Sequence, residues 1–231
     1  MMDPAIVTNT APDKPDAADP KGRQGAVAGV LLAGGLASRM GGGDKPLRLL
    51  GRRPVISHLI DRLKPQAAAL AISANGDPAR FGQFDLPVVA DTVPGHAGPL
   101  AGIFAGMEWA RRLPHITHLV SVPADTPFVP MDLVVCLQDA AGNGGGPAVA
   151  ASSGRTHPPV ALWPLTLQDE LARFLREGDE RRVKAFAMAH APAICPFDTV
   201  RIGGHDVDPF FNINTPGDME EAEWLLAGET K

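Results

Sequence analysis

Short apolar runs alternate with amphipathic stretches over the first half of the chain. The run AVAGVLLAGG, which opens at Ala26, is almost entirely apolar and ends in glycines, as is typical of a strand buried on both faces of a parallel sheet. Apolar residues at helical spacing follow in PVISHLIDRLK, and the predicted strands ALAISAN and LPVVAD flank a short helix in DPARFGQF. A further helix begins at Pro99, and the strand HLVSVPAD ends in an acidic residue. This alternation predicts βαβ units and therefore an α/β fold, with a mostly parallel sheet flanked by helices.

The second half of the chain has a less regular pattern. A flexible turn is predicted at GNGGG (residues 142–146), and PAVAAS and PPVALW are expected to pair as strands around the loop SSGRTH. Two helices follow on apolar stripes, AICPFD and DPFFNIN are expected to be further strands, and a last helix begins after Pro216. We therefore predict an antiparallel excursion within the sheet.

Composition favours a single folded domain that follows a polar tail. Of the 231 residues, 45% are hydrophobic and 20% are charged, which is a globular composition. Residues 1–25 contain four prolines and few large apolar side chains, so we predict a disordered N-terminal tail there. Residues 26–231 are predicted to form one domain, with halves at 26–141 and 142–231 where the pattern changes.

Charge and hydropathy exclude several classes of partner. The net charge of −5 argues against a general nucleic-acid binder, which needs a broad basic surface. No apolar run is long enough for a transmembrane helix, so we expect no membrane partner. Cys136 and Cys195 lie far apart without metal-ligand spacing, and we expect both to be free thiols in a reducing compartment. A cytoplasmic location is therefore predicted.

The segment LLAGGLASRMGGGDKPL (residues 31–47) carries the strongest chemical signal. Its glycines, among them Gly34 and Gly35, let backbone N–H groups approach a ligand closely. Arg39 and Lys45 can add charge-assisted hydrogen bonds to phosphate oxygens. The segment follows a predicted strand, where open α/β sheets bind ligands. Its spacing matches neither the Walker A loop nor the G-x-G-x-x-G fingerprint, which disfavours P-loop phosphoryl transfer and hydride transfer from NAD.

This loop resembles the signature of the bacterial molybdenum cofactor guanylyltransferases, a family of α/β nucleotidyltransferases. Further matches follow in the same order along the chain, at GPLAG, PADTPF, HPPVAL, GDERRVKAF and FNINTP. The resemblance implies a Rossmann-like nucleotidyltransferase fold, in which the first half binds the nucleotide and the second half binds the acceptor. The LAGG sequence and the pair Asp44-Lys45 favour the guanine enzymes, because the related cytidylyltransferases tend to have LAAG and Asn-Lys.

The resemblance also assigns residues to the nucleotide site by position. The implied GTP-binding residues are Leu32, Ala33, Gly34, Gly35, Lys45, Ser73, Asn75, Asp91, Gly98 and Asp125. Within this set Lys45 is implied to bind phosphate, Asp91 the guanosine part and Asp125 the Mg²⁺ ion, while Arg39 joins Lys45 and Asp125 as catalytic residues. An asparagine of the family aligns with Ser73 without gaps, and Asn75 follows two positions later, so both remain candidates for one role.

Candidate acceptor contacts lie in the second half. If DPFFNIN is a strand, Asn212 and Asn214 share one of its faces and both amides can contact the acceptor. Arg181 and Arg182 are candidates for binding the terminal phosphate of the acceptor. His157, which precedes two prolines, is expected to be structural rather than catalytic.

Each candidate also has a purely structural interpretation. Asp125 could cap the helix predicted in MDLVVCL, Asp91 could be a turn residue, and Lys45 could be a solvated cation. Gly98 could simply initiate a helix, and the two arginines could lie on a solvated helix face.

The combined prediction is a transferase that moves GMP from GTP to the phosphate of molybdenum-bearing molybdopterin and releases pyrophosphate. Mg²⁺ is the expected cofactor, since it neutralises charge on phosphates that are being transferred. The expected partners are the two substrates, with transient contacts to molybdoenzyme apoproteins and their chaperones. Two alternatives stay open. One is another nucleotidyltransferase of the same fold, of the cytidylyl or sugar-phosphate type; the other is a non-catalytic carrier of the finished cofactor.

Overall fold

The computed structural model describes residues 26–34, 44–93, 98–142, 144–177 and 182–228, so the predicted tail lies outside the described residues. The described strands, in chain order, are β1 (Ala26–Leu32), β2 (Leu49–Leu50), β3 (Arg53–Pro54), β4 (Ala69–Ser73), β5 (Val88–Val89), β6 (Ile116–Pro123), β7 (Ala148–Ser152), β8 (Arg155–Pro164), β9 (Ala193–Pro196), β10 (Val200–Ile202) and β11 (His205–Val207). The described α-helices are α1 (Val55–Leu63), α2 (Pro99–Ala110), α3 (Leu133–Ala141), α4 (Gln168–Glu177), α5 (Val183–Ala189) and α6 (Pro216–Ala227).

A central sheet organises these elements, and its strands run in the order β5-β4-β1-β6-β8-β7-β9. The pairs β5–β4, β4–β1, β1–β6 and β7–β9 are parallel, whereas β8 is antiparallel to both β6 and β7. The prediction of a mostly parallel sheet with an antiparallel excursion in the second half is confirmed.

Strand β1 is buried on both faces, as its nearly continuous apolar sequence predicts. Val27 and Leu31 belong to a core that contains residues of α1 and α3. Ala28 and Val30 belong to a second core that contains residues of α2, α4 and α5. Because successive side chains of a strand point to opposite faces, β1 contributes to both cores, and it is an inner strand of the sheet.

Helix α2 packs unusually close to the sheet because two of its residues lack a side chain. A Cβ atom at Gly102 would lie 2.6 Å from the Ser73 Oγ atom, and one at Gly106 would lie 2.9 Å from the Val30 Cβ atom. Both distances are shorter than side chains tolerate without movement of a neighbour. The glycines therefore determine how the amino end of α2 approaches the edge of the sheet where β1 ends.

The ladder between β6 and β8 ends early because β8 contains prolines. The last paired residues are Ser121 and Ala161. Pro158 and Pro159 have no N–H group to continue the ladder, and the Pro159 carbonyl instead accepts a hydrogen bond from the Ser121 Oγ atom at 2.8 Å. Strand β6 therefore continues to Pro123 without a ladder partner from β8.

The prediction of a strand at DPFFNIN (residues 208–214) is wrong. This segment is a turn followed by irregular backbone, because side-chain carboxylates accept N–H groups that a strand would use. The Asp208 Oδ1 atom accepts from the Phe210 N–H at 2.9 Å, and the Asp218 Oδ2 atom accepts from the Asn214 N–H at 2.7 Å. The two asparagines of the segment therefore do not share a strand face.

Three further local features differ from the sequence pattern. The predicted short helix at DPARFGQF is a 3-10 helix (Pro78–Phe84), and the predicted strand LPVVAD pairs only over two residues. The hairpins β2–β3 and β10–β11 are too short to produce a recognisable periodicity of apolar residues in the sequence. They pack with α6 in a third core around Leu50 and Ile213.

None of the helices in the described ranges has the length and apolar character needed to cross a membrane.

Candidate functional site

A pocket of about 360 Å³ opens where β1 and β6 end. It is lined by Leu32, Ala33, Gly34, Lys45, Pro46, Pro99, Pro123, Asp125, Pro159 and Asn212. The end of β1 is held from both sides, since the Ala33 N–H donates to the Ser73 carbonyl at 2.8 Å and the Leu32 carbonyl accepts from the Ala124 N–H at 3.0 Å. Gly34 follows, and apart from its chain neighbours no atom of the described residues lies within 4 Å of the position a Cβ would take, so its backbone is accessible to a ligand from that side.

Lys45 joins three distant segments at the floor of this first pocket. Its ammonium group donates to the Asp125 Oδ2 atom at 2.9 Å and to the Asn214 Oδ1 atom at 2.7 Å. Asp125 follows the end of β6, and Asn214 lies just before α6. Lys45 itself begins a single 3-10 turn (Lys45–Leu47) directly after the glycine-rich segment. The fold thus brings together a cation, a carboxylate and an amide that the sequence places far apart.

One carboxylate oxygen of Asp125 takes no part in these contacts. Its Oδ1 atom is buried and has no hydrogen-bond partner among the residues that the structure describes. A buried carboxylate oxygen without a partner is costly unless a ligand occupies it, and carboxylate oxygens are the ligands that Mg²⁺ prefers. Within the described ranges, no group of three or more His, Cys, Asp or Glu side chains is arranged so that it could hold a metal ion. The donor set therefore fits an ion that takes one protein carboxylate and completes its shell with water and phosphate oxygens.

A second pocket of about 420 Å³ adjoins the first. It is lined by Arg155, Thr156, His157, Asp208, Phe210, Phe211, Asn212, Asn214 and Asp218. Asn212 lines both pockets, and its Oδ1 atom accepts a hydrogen bond from the buried Thr126 hydroxyl at 2.8 Å. With its oxygen engaged, the side-chain amide has its N–H groups left to donate to a ligand. The two pockets thus meet at one asparagine.

Asn75 and Asp91 form a reciprocal pair on the other side of β1. The Asn75 Nδ2 atom donates to the Asp91 Oδ2 atom at 2.8 Å, and the Asp91 N–H donates to the Asn75 Oδ1 atom at 2.9 Å. Ser73, by contrast, is only 2% exposed beneath α2. The register pairs Leu32 with Ser73 and Ser73 with Val89, so the three strands end at the same edge of the sheet.

Comparisons with known proteins identify the family. The family described as MobA-like NTP transferase domain matches residues 29–193. A molybdenum cofactor guanylyltransferase from Rhodopseudomonas palustris (strain BisB5) is 50% identical over 208 residues, which cover 89% of this chain and 97% of that protein. Another from Mesorhizobium japonicum is 49% identical over 205 residues, covering 88% and 98%. The chain belongs to the molybdenum cofactor guanylyltransferase family. It is accordingly a nucleotidyltransferase, and the predicted family and enzyme class are confirmed.

The fold of this chain also matches solved structures of nucleotidyltransferases. A molybdopterin-guanine dinucleotide biosynthesis protein A from Archaeoglobus fulgidus superposes with a TM-score of 0.62 at 20% identity, over 87% of this chain and 98% of that one. A nucleotidyl transferase from Methanothermobacter thermautotroptrophicus superposes with a TM-score of 0.64 at 16% identity, over 89% and 99%. At such low identity the likeness concerns the fold, and it confirms the Rossmann-like architecture.

Most of the residues predicted from the guanylyltransferase signature meet at this sheet edge. Those around the first pocket are Leu32, Ala33, Gly34, Lys45 and Asp125. Gly98 is the N-cap of α2 next to the pocket-lining Pro99, whereas Arg182 is the N-cap of α5 and lines neither pocket. The predicted residues Gly35, Arg39 and Arg181 lie outside the described residues.

Two of the sequence interpretations need correction. Helix α3 begins at Leu133 with Asp132 as its N-cap, so the interpretation of Asp125 as a helix cap is wrong. Asn212 and Asn214 do not reach the site from one strand face, because their segment is irregular. They take different roles instead: Asn214 contacts Lys45, and Asn212 forms the wall between the pockets.

A group of polar side chains at the second pocket is assembled from distant segments. The Ser152 hydroxyl donates to the Asp208 Oδ1 atom at 2.7 Å and lies 2.8 Å from the His157 Nε2 atom. The His157 ring packs on Phe210 with 4.8 Å between ring centroids. Burial lowers the pKa of His157 below its ordinary value, although the Asp208 carboxylate acts to raise it. The motifs that contain His157 and Asp208 do not indicate that the two residues meet at Ser152, because the three come from β8, the segment after β11 and β7.

Proposed function

We propose that this protein transfers GMP from GTP to the terminal phosphate of molybdenum-bearing molybdopterin and releases pyrophosphate. One observation carries the proposal: two pockets share Asn212, and the Lys45 ammonium lies beside their junction between Asp125 and Asn214. A transferase needs a donor site and an acceptor site that meet at the reacting phosphorus. The names of the curated relatives, molybdenum cofactor guanylyltransferases, support the choice of substrates.

In this proposal the triphosphate of GTP occupies the first pocket. Lys45 and the backbone amides around Gly34 bind its phosphates, and the loop residues Gly35 and Arg39 add to this binding. The exposed position of Gly34 and the approach of Lys45 to the same pocket support the assignment. Cationic and N–H donors directed at the β- and γ-phosphates stabilise the charge that develops on departing pyrophosphate.

The guanosine part is proposed to contact Asn75 and Asp91, which lie beyond the ends of β4 and β5. Their reciprocal hydrogen bonds support Asn75, rather than the buried Ser73, as the asparagine of the family. Gly98 at the start of α2 is proposed to border the same region, since N–H groups at a helix start are available to a ligand.

Asp125 is proposed to hold the Mg²⁺ ion, and its unpartnered Oδ1 atom supports this role. When bound, the ion supplies positive charge that neutralises the phosphate oxygens. Lys45 contacts the other carboxylate oxygen and holds the side chain in place.

The acceptor is proposed to bind in the second pocket, where Asn212 and Asn214 contact it and the arginines at 181 and 182 attract its phosphate. An oxygen of that phosphate attacks the α-phosphorus of GTP and forms the new P–O–P linkage. The bond from the α-phosphorus to its bridging oxygen breaks, and pyrophosphate leaves with the electron pair. The attacking phosphate is an anion at neutral pH, so the reaction needs no strong general base.

A nucleotide panel tests the proposal. Purified protein is mixed with Mg²⁺, molybdenum-loaded molybdopterin and GTP, CTP or ATP, and pyrophosphate release is measured. We expect release with GTP and none when the acceptor is omitted. Release with CTP instead would favour the cytidylyl alternative, and binding of the finished cofactor without any release would favour the carrier. Cytoplasmic location and contacts with molybdoenzyme apoproteins stay predictions.

Asp125→Asn tests the metal assignment within the same assay. The variant keeps a side-chain oxygen for Lys45 but loses the charge, so we expect GMP transfer to fall by about 10²–10³-fold, the usual effect of removing one electrostatic stabiliser. Asp139→Asn, which changes an exposed carboxylate in α3, is the matched control. Unchanged turnover in Asp125→Asn would eliminate the assignment.

A further inference from the structure

Arg80 lies between the two parts of the proposed nucleotide site without lining either pocket. Its Nη2 atom donates to the Asn75 carbonyl at 2.6 Å, and its Nε atom lies 3.3 Å from the Asp44 Oδ2 atom. Asp44 directly precedes Lys45, and the Asn75 side chain is paired with Asp91. One guanidinium group therefore connects the phosphate side of the site to the guanosine side.

The segment that carries Arg80 is anchored firmly enough to act as a support. Gly76 provides a turn with φ of +86°, and the Asp77 side chain accepts the Ala79 N–H at 2.9 Å at the start of the 3-10 helix. Phe81 is fully buried in the core, and the Arg80 guanidinium lies 5.0 Å from the centroid of its ring. The guanidinium is thus attached to the packed interior, whereas its two partners belong to the ends of the glycine-rich segment and of β4.

The contacts with the two partners differ in kind. The bond to the Asn75 carbonyl is short and charge-assisted. The contact with Asp44 is an ion pair, and the Arg80 Nε atom is buried without a hydrogen bond of good geometry to any residue that the structure describes. Side-chain exposures of 30% for Arg80 and 29% for Asp44 indicate that the pair is shielded in part from water. It is therefore screened less than an ordinary surface pair.

We propose that Arg80 is a positioning residue that holds the phosphate-binding Lys45 and the guanosine-binding Asn75–Asp91 pair at the spacing GTP requires. This inference rests on the proposed function and adds a residue to it. A ligand that spans two subsites gains from both only when the distance between them matches its own length, because otherwise part of the binding free energy is used to rearrange the site. A ligand that fills one subsite alone is indifferent to that distance.

The test compares a spanning ligand with its two fragments. Affinities for GTP, guanosine and inorganic tripolyphosphate are measured on Arg80→Ala and on the unaltered protein, with fragment affinities obtained by competition against a fluorescent GTP analogue. We expect the GTP affinity to fall on the order of tenfold, the scale expected of a small misplacement in a site. Guanosine and tripolyphosphate are expected to change less than twofold. In turnover, KM for GTP rises while KM for the acceptor does not.

Four further variants refine the test. Arg80→Lys keeps the charge but loses the guanidinium geometry that reaches both partners, so it should recover only part of the GTP affinity. Asp44→Asn should weaken GTP binding less than Arg80→Ala, and the double variant should be no weaker than Arg80→Ala alone. Arg53→Ala is the matched control. Arg53 lines neither pocket, and its Nη1 atom forms an exposed ion pair with the Asp61 Oδ2 atom at 2.7 Å. This variant should leave the affinities for GTP, guanosine and tripolyphosphate unchanged.

The outcomes distinguish failure of the positioning role from failure of the proposed function. If Arg80→Ala weakens tripolyphosphate or guanosine as much as GTP, Arg80 contacts that fragment or supports the whole fold, and the positioning role is overturned. If GTP affinity and KM are unchanged, or if the double variant shows independent additive losses, it is overturned as well. Failure of the unaltered protein to bind GTP would instead contradict the proposed function itself. Melting temperatures of all variants are recorded to show that each is folded.

Discussion

At the scale of single residues, Lys45 shows how one side chain can depend on three segments. Its ammonium contacts Asp125 and Asn214, and the side chains of Lys45 and Asp125 are only 18% and 17% exposed. Because it is costly to remove charges from water, a partly buried pair of this kind is weak evidence for a stabilising role. Incoming phosphate must compete with these two contacts for the ammonium group.

Lys45→Ala tests the phosphate-binding role directly. Losing a hydrogen-bonded cation costs about 1.5–3 kcal/mol of binding free energy, so we expect the dissociation constant for GTP to rise about 10- to 100-fold. Isothermal titration calorimetry measures it, and Lys64→Ala, which changes an exposed lysine at the end of α1, is the control. Equal affinity in Lys45→Ala and the unaltered protein would refute the assignment of the loop.

At the scale of elements, the position of α2 depends on a close approach to the sheet that only glycine permits. Gly102 and Gly106 face β4 and β1 with almost no space for a Cβ atom. The helix starts beside the first pocket, at Pro99, so its position also shapes the site. The start of a second element, α6, is stabilised by a capping box, in which the Thr215 and Asp218 side chains each accept a hydrogen bond from the other residue's backbone N–H group.

Gly106→Ala should destabilise the protein although alanine favours helix. The gain in helix propensity is about 1 kcal/mol, whereas overpacking against Val30 costs about 1–3 kcal/mol because a β-branched core residue has little freedom to move. We expect a net fall in the free energy of unfolding, measured by urea titration. Gly217→Ala in α6 is the control, because its nearest atom would be 3.7 Å away. A more stable Gly106→Ala variant would contradict the packing described for α2.

Asp218→Asn should reveal a pH-dependent contribution from the start of α6. Burial acts to raise the pKa of Asp218, but hydrogen bonds from Asn214 and Thr215, aided by the Lys45 charge, outweigh it and lower the pKa below its ordinary value of 3.8. A carboxyl group with a lowered pKa in the folded state stabilises the protein above its unfolded pKa, and this stabilisation is lost as the pH falls through the folded value.

The stability difference between the unaltered protein and Asp218→Asn is therefore expected to be largest near neutral pH. It should shrink as the pH falls below about 5 and vanish once Asp218 is protonated in both states. Melting temperatures over a pH series measure it, with Glu220→Gln on the exposed side of α6 as the control. A difference that stays constant down to acid pH would show that the carboxylate charge does not stabilise the cap.

At the scale of the whole molecule, the two halves of the chain share their cores. Strand β1 from the first half and strand β8 from the second contribute to both large apolar cores. The sheet itself crosses from one half to the other through the β6–β8 pair. The predicted halves at 26–141 and 142–231 therefore do not have separate apolar cores among the described residues.

This sharing predicts cooperative unfolding of residues 26–231 as one domain. Far-ultraviolet circular dichroism and fluorescence of the buried Trp163 should give coincident urea transitions with a single midpoint. A fragment of residues 26–141 alone should not fold, because β8 and its apolar residues would be missing from both cores. Two separated transitions would instead show that the halves are independent domains.

The sequence was sufficient for the order of most elements and for much of the site. β1 is apolar at every position, and the residues after it are rich in glycine, so both the strand and the proposed phosphate-binding loop can be recognised from the local sequence. The same holds for Asp125, which follows an apolar strand in a recognisable motif. The strand prediction for segment 208–214 is wrong, because alternating Phe, Asn, Ile and Asn has the period of a strand while neighbouring carboxylates accept hydrogen bonds from its backbone N–H groups.

The sequence alone is enough to predict the α/β class and the family, because both depend on periods and spacings between near neighbours. The packing of distant elements, by contrast, is needed to bring Asn214 to Lys45, Thr126 to Asn212, and Arg80 to both Asp44 and Asn75. The first two contacts join residues 169 and 86 positions apart. Such contacts follow from the crossing of packed elements, and no local pattern of apolar and polar residues encodes how those elements cross.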